Sequence, residues 1–292
     1  LPPPSGIVGD WVANADIYFV TNTGNQTVTA SVALASRFKS GEEWSTDTGL
    51  SIATSAPVHP GDVSLTLAPY AARVFVFSAS AHPGVAPHGP TTQLADLSDN
   101  WHVSFPGLNK SVTETTPTDW IAAPSTEHYS GEGTYTRDFT LAKAPASPVY
   151  LQVDGGKALA GAPNSPPEEH PALAANGLPN PLITRPGPGM HAFYDPPIRA
   201  AALVTINGKP AGALWHPPYS LDVSKLLKAG RNHIEIRVYN TALNAWSALP
   251  PHNYAPLIAK YGDRFQMQDL NKVVPIPSGL LGPVHLVTTE TK

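Results

Sequence analysis

The sequence predicts an all-β fold, because short stretches of alternating apolar and polar residues follow one another between turn-forming residues. Its 292 residues include 33 Pro and 23 Gly, which leave little room for long helices. An apolar share of 41% is enough for a packed core, and a charged share of 14% is low. We therefore expect a small β-sandwich followed by a larger jelly-roll β-sandwich that carries a long Pro-rich insertion.

The small β-sandwich is expected at residues 1–80. Two apolar stretches, 17–20 and 27–34, flank an Asn- and Gly-rich connection, which predicts that they pair as a hairpin. Alternation at Val63, Leu65 and Leu67 and the apolar stretch 73–77 predict two more strands. Residues 81–97 lack periodicity and are interpreted as a linker between two packed units.

The larger β-sandwich is expected at residues 98–292, where strands are predicted near residues 134–141, 149–153, 202–206, 219–223, 234–238 and 284–288. The dipeptide Asn207-Gly208 indicates a type I′ hairpin turn, because both central residues of that turn need a positive φ. Residues 224–227 are expected to form a single helical turn that Gly230 closes.

Residues 155–200 interrupt this regular pattern of strands. They contain ten prolines and are too long for a hairpin loop. The segment is therefore predicted to be an insertion at the surface of the larger unit.

Composition excludes several classes of function. The net charge is −4 and no Lys and Arg cluster is present, so nucleic acid is not an expected partner. No apolar run approaches the roughly 20 residues of a membrane span, so no membrane is expected either. The absence of Cys removes thiol nucleophiles and Cys-ligated zinc.

Catalytic and metal-binding patterns are weak. The adjacent acids Glu42-Glu43 and Glu168-Glu169 point in opposite directions on an extended chain, so neither forms the facing pair that glycoside hydrolysis needs. His191 and Asp195 are spaced for one helical face, but Pro196 and Pro197 follow at once and disfavour a helix. We predict no catalytic residue and no metal ligand.

Aromatic residues beside amide and imidazole groups are the strongest candidates for binding. Sugars present apolar C–H faces ringed by hydroxyls, so an exposed ring with neighbouring hydrogen-bonding groups suits them. Packing in the core or between domains would explain the same rings, and this alternative stays open. The candidate sugar-binding residues are Trp246, Asn244, Tyr254, His252 and Trp215.

Three stretches, residues 129–139, 204–219 and 226–236, resemble in order and spacing the sugar-binding jelly-roll of family 2 glycosidases, which is a galactose-binding-like β-sandwich. Four others, residues 16–22, 214–219, 260–266 and 277–284, resemble the C-terminal, non-barrel part of glycoside hydrolase family 106, the α-L-rhamnosidases. The insertion at 155–200 departs from that pattern.

This resemblance implies a piece of a longer inverting α-L-rhamnosidase, downstream of a catalytic barrel that carries the catalytic glutamates. It also implies a periplasmic or secreted protein, rhamnose-containing glycans or rhamnosides as ligands, the barrel of the same enzyme as partner, and calcium near the sugar with no ligand identified. Because strand and helix patterns do not alternate here, no barrel is expected within the chain.

Three hypotheses about function follow. In the first, the chain is an accessory β-sandwich that supports the barrel and contacts glycan. In the second, it is a structural inter-domain module without affinity for sugar. In the third, it is an independent glycoside hydrolase, which would depend on Glu168 or Glu169.

Overall fold

The computed structural model describes residues 14–46, 51–52, 59–79, 91–159, 194–250, 253–262 and 274–289. Within these residues the chain is built almost wholly of antiparallel strands, which confirms the all-β prediction. The strands of the first part are β1 (Ala15–Thr21), β2 (Val28–Leu34), β3 (Gly41–Trp44), β4 (Ser51–Ile52), β5 (Gly61–Leu67) and β6 (Ala72–Ser78).

The strands of the second part are β7 (Thr91–Asp96), β8 (Trp101–Phe105), β9 (Lys110–Glu114), β10 (Glu132–Leu141), β11 (Val149–Val153), β12 (Lys157–Ala158), β13 (Tyr194–Asp195), β14 (Ile198–Arg199), β15 (Ala201–Ile206), β16 (Lys209–Leu214), β17 (Ser220–Asp222), β18 (Gly230–Tyr239), β19 (Gly279–Leu280) and β20 (Val284–Thr289). The described helices are two short 3₁₀ turns, Pro106–Leu108 and Trp120–Ala122, and two α-helices, α1 (Leu243–Ser247) and α2 (Ala255–Tyr261).

The first part has two layers, a sheet in the order β1-β6-β3-β4 and the pair β2-β5. A compact core fills the space between them, and it is formed by Leu34, Leu65, Phe75 and Phe77. Leu65 alternates with Ser64 and Thr66 along β5, which is the pattern of a strand with one buried face, whereas Phe75 and Phe77 alternate with Val74 and Val76 in the apolar strand β6.

The predicted hairpin of β1 and β2 is wrong. Strand β1 pairs with β6, and β2 pairs with β5. The intervening Asn22 is buried, and its amide donates to the carbonyl oxygens of Leu67 and Ala68 at 3.3 and 3.0 Å. The Asn- and Gly-rich connection is thereby tied to the turn between β5 and β6, and it carries the chain from one sheet to the other.

A larger β-sandwich forms the second part. Its six-stranded sheet has the order β16-β15-β18-β10-β8-β9, and its four-stranded sheet has the order β17-β11-β20-β7. Inward residues of both sheets build one core, with Trp101, Tyr135 and Ile236 from the first sheet and Leu151 and Leu286 from the second. All five side chains are fully buried.

Most predicted strands of this part are present, and so is the type I′ turn. Asn207 and Gly208 have φ values of 51° and 76°, and they join β15 to β16 in an antiparallel pair. Residues 224–226 form a hydrogen-bonded turn instead of the predicted helical turn, with the Leu226 N–H donating to the Val223 carbonyl at 2.9 Å.

The ends of the predicted insertion are parts of short strand pairs. Strand β12 pairs with β13, and β14 pairs with β19. Residues 160–193 of the insertion lie outside the described residues, as do residues 81–90 of the predicted linker. The prediction of a linker is wrong for residues 91–96, which form β7 and pair with β20 in the larger β-sandwich. The other predicted domain boundaries stay predictions.

Candidate functional site

Four connections meet at one end of the six-stranded sheet. Tyr239, at the end of β18, stands opposite both Glu132 at the start of β10 and Ala201 at the start of β15. Leu214, the last residue of β16, lies in register with Ala202. The segments 106–109, 123–131, 215–219 and 240–250 therefore all leave the sheet at this end, which we name the cleft end.

Trp246 of α1 is exposed at the cleft end, as the sugar-binding hypothesis requires. Its side chain is 48% exposed, whereas Asn244, two residues earlier on the same helix, is fully buried. Two residues in an α-helix turn the chain by about 200°, so these two side chains lie on opposite sides of α1. The helix has one face in the protein and one face in solvent.

Asn244 is buried and forms its hydrogen bonds within the protein, so its prediction as a sugar-binding residue is wrong. Its amide nitrogen donates to the Ile276 carbonyl at 3.0 Å and to Ser278 Oγ at 3.1 Å. Its amide oxygen accepts from the Ile276 N–H at 2.9 Å. A buried amide with these partners holds α1 against the segment before β19 and has no surface from which to contact a ligand.

Trp215 is also exposed, with 57% of its surface accessible, and it packs edge-on against His216 at 4.5 Å. It follows β16, which lies three strand positions from β10. Neighbouring strands are about 4.8 Å apart, so about 14 Å separates β16 from β10 across the sheet. Both rings belong to connections at the same end of the sandwich.

The remaining candidates contribute less to this surface. Tyr254 is half-buried and precedes the first turn of α2. His252 lies outside the described residues, and so do Glu168 and Glu169.

A cavity of about 550 Å³ opens beside α1 at the cleft end. Four side chains with polar groups contribute to it, together with three apolar residues and two glycines. Its lining residues are Gly107, Leu108, Pro124, Ser125, His128, Tyr129, Ser130, Gly131 and Ala245. We call this cavity the α1 cleft.

Tyr129 lies at the base of the α1 cleft and is fixed by aromatic packing. Its ring is 5.6 Å from Phe105 and 5.7 Å from Trp120, and its hydroxyl donates to the Glu132 carbonyl at 2.9 Å. A Cβ atom at Gly107 would lie 2.9 Å from the Tyr129 hydroxyl oxygen, and one at Gly131 would lie 2.7 Å from it. Only glycine leaves room for the ring at these two positions.

Helix α1 is held against the cleft by two hydrogen bonds from the segment 123–131. The Ala245 N–H donates to Ser130 Oγ at 2.9 Å, and His128 Nδ1 lies 2.8 Å from Ser247 Oγ. Asn240 adds a third connection, because its amide donates to the Tyr129 carbonyl and accepts from the Gly131 N–H, both at 2.8 Å. The site is therefore preorganised, which lowers the entropic cost of binding.

Sequence reasoning missed His128, Ser125 and Ser130. His128 and Ser247 are 119 residues apart, and Ser130 and Ala245 are 115 residues apart. No short motif marks such pairs, because the register of β10 with β18 brings them together.

Two acidic residues near the cleft end, Asp119 and Glu132, accept hydrogen bonds within the protein. Asp119 Oδ1 accepts from the backbone N–H groups of Ile121 and Ser278, at 3.2 and 2.9 Å. Glu132 Oε1 accepts from Thr134 Oγ1 at 2.8 Å. Of the adjacent acids weighed in the sequence, Glu43 is buried and paired with Arg73, while Glu42 accepts from Trp44 Nε1 at 2.8 Å.

Two tyrosine hydroxyl groups have a pKa well above the ordinary value. Burial raises the pKa of Tyr219 to about 12, with a further contribution from Tyr194 that Arg199 partly opposes. Burial also raises the pKa of Tyr135 well above its ordinary value, although a hydrogen bond from Trp120 acts in the other direction. Both groups stay neutral at physiological pH.

The described part of the chain contains no group of three or more His, Asp or Glu side chains arranged to hold a metal ion. In the same residues, no helix combines the length and the apolar character that a membrane span requires.

Comparison with known proteins identifies the fold. No protein-family model matches the sequence. Over 43 residues, which are 15% of this chain and 4% of the other, it is 44% identical to the "Putative beta-glucuronidase" of Formosa agariphila.

Among solved structures, the rhamnosidase from Novosphingobium sp. PP1Y matches 94% of the chain with a TM-score of 0.59 and 22% sequence identity. An FMN-binding β-glucuronidase from Facaelibacterium prausnitzii L2-6 matches 67% of it with a TM-score of 0.35 and 19% identity. The chain spans 23% of the length of each of these two structures. This is thus an all-β chain whose fold, over 94% of its length, is similar to that of a segment of the Novosphingobium rhamnosidase.

Proposed function

We propose that this chain is an accessory β-sandwich region of a glycoside hydrolase that removes terminal α-L-rhamnosyl groups, and that it contacts glycan at its cleft end. Catalysis belongs to a barrel outside this sequence, and the β-sandwich supports that barrel. Support comes from the fold, which the chain shares with a rhamnosidase over 94% of its length.

The half-exposed ring of Trp246 carries the glycan-contacting part of the proposal. The indole extends from a helix whose position is fixed by hydrogen bonds of Asn244, Ala245 and Ser247. An aromatic face of this kind packs against the C–H face of a pyranose. The neighbouring α1 cleft adds hydroxyl and imidazole groups within the same end of the sandwich.

Titration calorimetry with methyl α-L-rhamnopyranoside tests the contact. We expect the wild-type chain to bind and the Trp246→Ala variant to bind about 5- to 30-fold more weakly, because the ring contributes on the order of 1 to 2 kcal/mol. Phe19→Ala is the matched control, since Phe19 is 61% exposed on β1, far along the chain from the cleft end. Equal loss in both variants would remove Trp246 from the site.

A structural role without sugar affinity is the second candidate, and one observation favours it. Of the twelve large apolar side chains that are exposed in the described residues, five lie in the single connection between β18 and β19: Trp246, Leu249, Leu257, Tyr261 and Val274. Apolar groups concentrated in this way are typical of surfaces that another domain covers. A wild-type chain that binds no rhamnoside would favour this role.

The third hypothesis, independent hydrolysis, has a direct assay. We expect the isolated chain to release no nitrophenol from p-nitrophenyl α-L-rhamnopyranoside. Release that Glu168→Ala or Glu169→Ala abolishes would overturn the accessory role.

A further inference from the structure

The hydrogen bonds around His128 determine which of its ring nitrogens carries the proton. Ser247 Oγ lies 2.6 Å from the Asn244 carbonyl oxygen, and a carbonyl cannot donate, so the single hydroxyl proton of Ser247 is used there. Ser247 Oγ must then accept in its 2.8 Å contact with His128 Nδ1. In the neutral imidazole, Nδ1 therefore carries the proton and Nε2 carries a lone pair.

The Nε2 lone pair of His128 is available to a ligand. The side chain is 40% exposed and lines the α1 cleft. Glu127 Oε2 is the neighbouring charged group at 4.0 Å, which is beyond hydrogen-bond distance. Among the described residues, no protein group donates a hydrogen bond to His128 Nε2. The cleft thus presents one hydrogen-bond acceptor to a ligand.

Two serine hydroxyls of the same cleft are available as donors. Ser125 Oγ accepts from Lys110 Nζ at 2.5 Å, and an ammonium group can only donate, so the Ser125 proton is not consumed by this bond. Ser130 Oγ accepts from the Ala245 N–H at 2.9 Å, which leaves its proton unused in the same way. The cleft therefore offers two hydroxyl donors and one imidazole acceptor.

This combination suits a ligand whose groups both donate and accept. Sugar hydroxyls do both, whereas a carboxylate or a phosphate only accepts. The Glu127 carboxylate near His128 and the Lys110 ammonium group near Ser125 carry opposite charges, so the cleft has no net charge that would favour an anion. The apolar side chains of Leu108 and Pro124 line the same cavity and provide contact for C–H groups. A volume of about 550 Å³ lies within the usual range of small-molecule sites.

We propose that the α1 cleft is a subsite for one neutral sugar unit, in which His128 Nε2 accepts from a sugar hydroxyl and Ser125 and Ser130 donate to sugar oxygens. This assignment rests on the proposed glycan-contacting role of the cleft end. It extends that role from the Trp246 ring to residues that form hydrogen bonds with sugar hydroxyl groups.

Two substitutions of His128 separate recognition from support of α1. His128→Asn retains a donor near the position of Nδ1 and can keep the bond to Ser247, but it removes the acceptor at Nε2. His128→Gln places an amide oxygen near the position of Nε2 and restores that acceptor. Ser125→Ala removes one donor, and His102→Asn, at an exposed position on β8, is the control.

Calorimetric titration with methyl α-L-rhamnopyranoside and, separately, with sodium D-glucuronate measures the effect, and thermal unfolding checks the fold of each variant. We expect the rhamnoside to bind about tenfold more weakly to His128→Asn and about three- to tenfold more weakly to Ser125→Ala. Binding to His128→Gln should stay within about threefold of wild type, binding to His102→Asn should not change, and glucuronate should bind more weakly than the rhamnoside.

The outcomes distinguish this inference from the proposed function. If Trp246→Ala loses binding and His128→Asn does not, the glycan contact stands and the cleft subsite is wrong. If His128→Asn and Ser125→Ala lose binding and Trp246→Ala does not, the cleft stands and the ring platform is wrong. Tighter binding of glucuronate, or no binding of either sugar by the wild-type chain, overturns the subsite.

Discussion

At the scale of single residues, the cleft end combines side chains that hold the protein together with side chains that face a ligand. Helix α1 shows this division within three residues, because Asn244 is buried and hydrogen-bonded while Trp246 is exposed. The polar surroundings of Trp246 in the sequence were a useful signal for exposure. The burial of Asn244 had no such signal, because it depends on a five-residue helix whose orientation is fixed by residues 276–278.

Replacing Asn244 tests its structural role. Asn244→Ala removes the hydrogen bonds of a fully buried amide to the Ile276 N–H and carbonyl groups and to Ser278 Oγ, so we expect the free energy of unfolding to fall by about 1 to 3 kcal/mol. Urea denaturation measures the change. Gln26→Ala, at an exposed position, is the control and should stay within about 0.5 kcal/mol of wild type.

Tyr135 makes a similar test possible inside the core. Its hydroxyl accepts from Trp120 Nε1 at 2.6 Å and from the Leu280 N–H at 3.3 Å. Tyr135→Phe keeps the ring but leaves these two buried donors unpaired, which is expected to lower the free energy of unfolding by about 1 to 3 kcal/mol. A change below about 0.5 kcal/mol in urea denaturation would show that the hydroxyl is dispensable.

At the scale of secondary-structure elements, local sequence patterns predicted strands and turns but did not predict which strands pair with each other in every case. The Asn207-Gly208 turn was predictable because its backbone requirement is local. The pairing of β1 with β6 was not predictable in the same way, since the connection after β1 resembles a hairpin loop and the decisive bonds run from Asn22 to Leu67 and Ala68. The pairing of two strands that are distant in sequence cannot be recognised from a short stretch of residues.

Engineered disulfides test the corrected pairing of β1. Ile17 and Val76 are direct partners in the β1-β6 register, and opposed residues in an antiparallel pair are close enough for a disulfide. Because the chain has no native Cys, Ile17→Cys with Val76→Cys should form one intramolecular bond on oxidation. Non-reducing electrophoresis and intact mass detect it, and the pair Ile17→Cys with Val32→Cys should stay reduced if β1 and β2 do not pair.

At the scale of the whole molecule, the sequence pattern was sufficient for the all-β class and for the larger β-sandwich. Each inward residue of β10 and β18 alternates with an outward polar residue, so burial of one face could be predicted without knowing the partner strand. The α1 cleft could not be predicted, because it arises where segments from three parts of the chain meet at one end of the sheet.

The buried tyrosines make the stability of the molecule sensitive to alkaline pH. The pKa of Tyr219 is raised to about 12 in the folded chain, against about 10 in the unfolded chain. The folded state therefore holds this proton longer, so its stabilising contribution is complete below pH 10 and is lost as the pH rises from 10 towards 12. Tyr135 acts in the same direction.

Urea denaturation at several alkaline pH values checks this dependence. The midpoint should be steady between pH 8 and about 9.5 and should fall above pH 10, and Tyr219→Phe should reduce the fall. A midpoint that is independent of pH up to 12 would contradict the burial of both phenols.

The central claim is that this β-sandwich meets glycan at its cleft end. The most direct measurement is two-dimensional amide NMR of the isotope-labelled chain during titration with methyl α-L-rhamnopyranoside. The account predicts shift changes concentrated in residues 106–109, 123–131 and 243–247, with those at His128 and Trp246 lost in the corresponding variants. Unchanged spectra at saturating sugar, or changes confined to the outward face of β10 and β18, would contradict it.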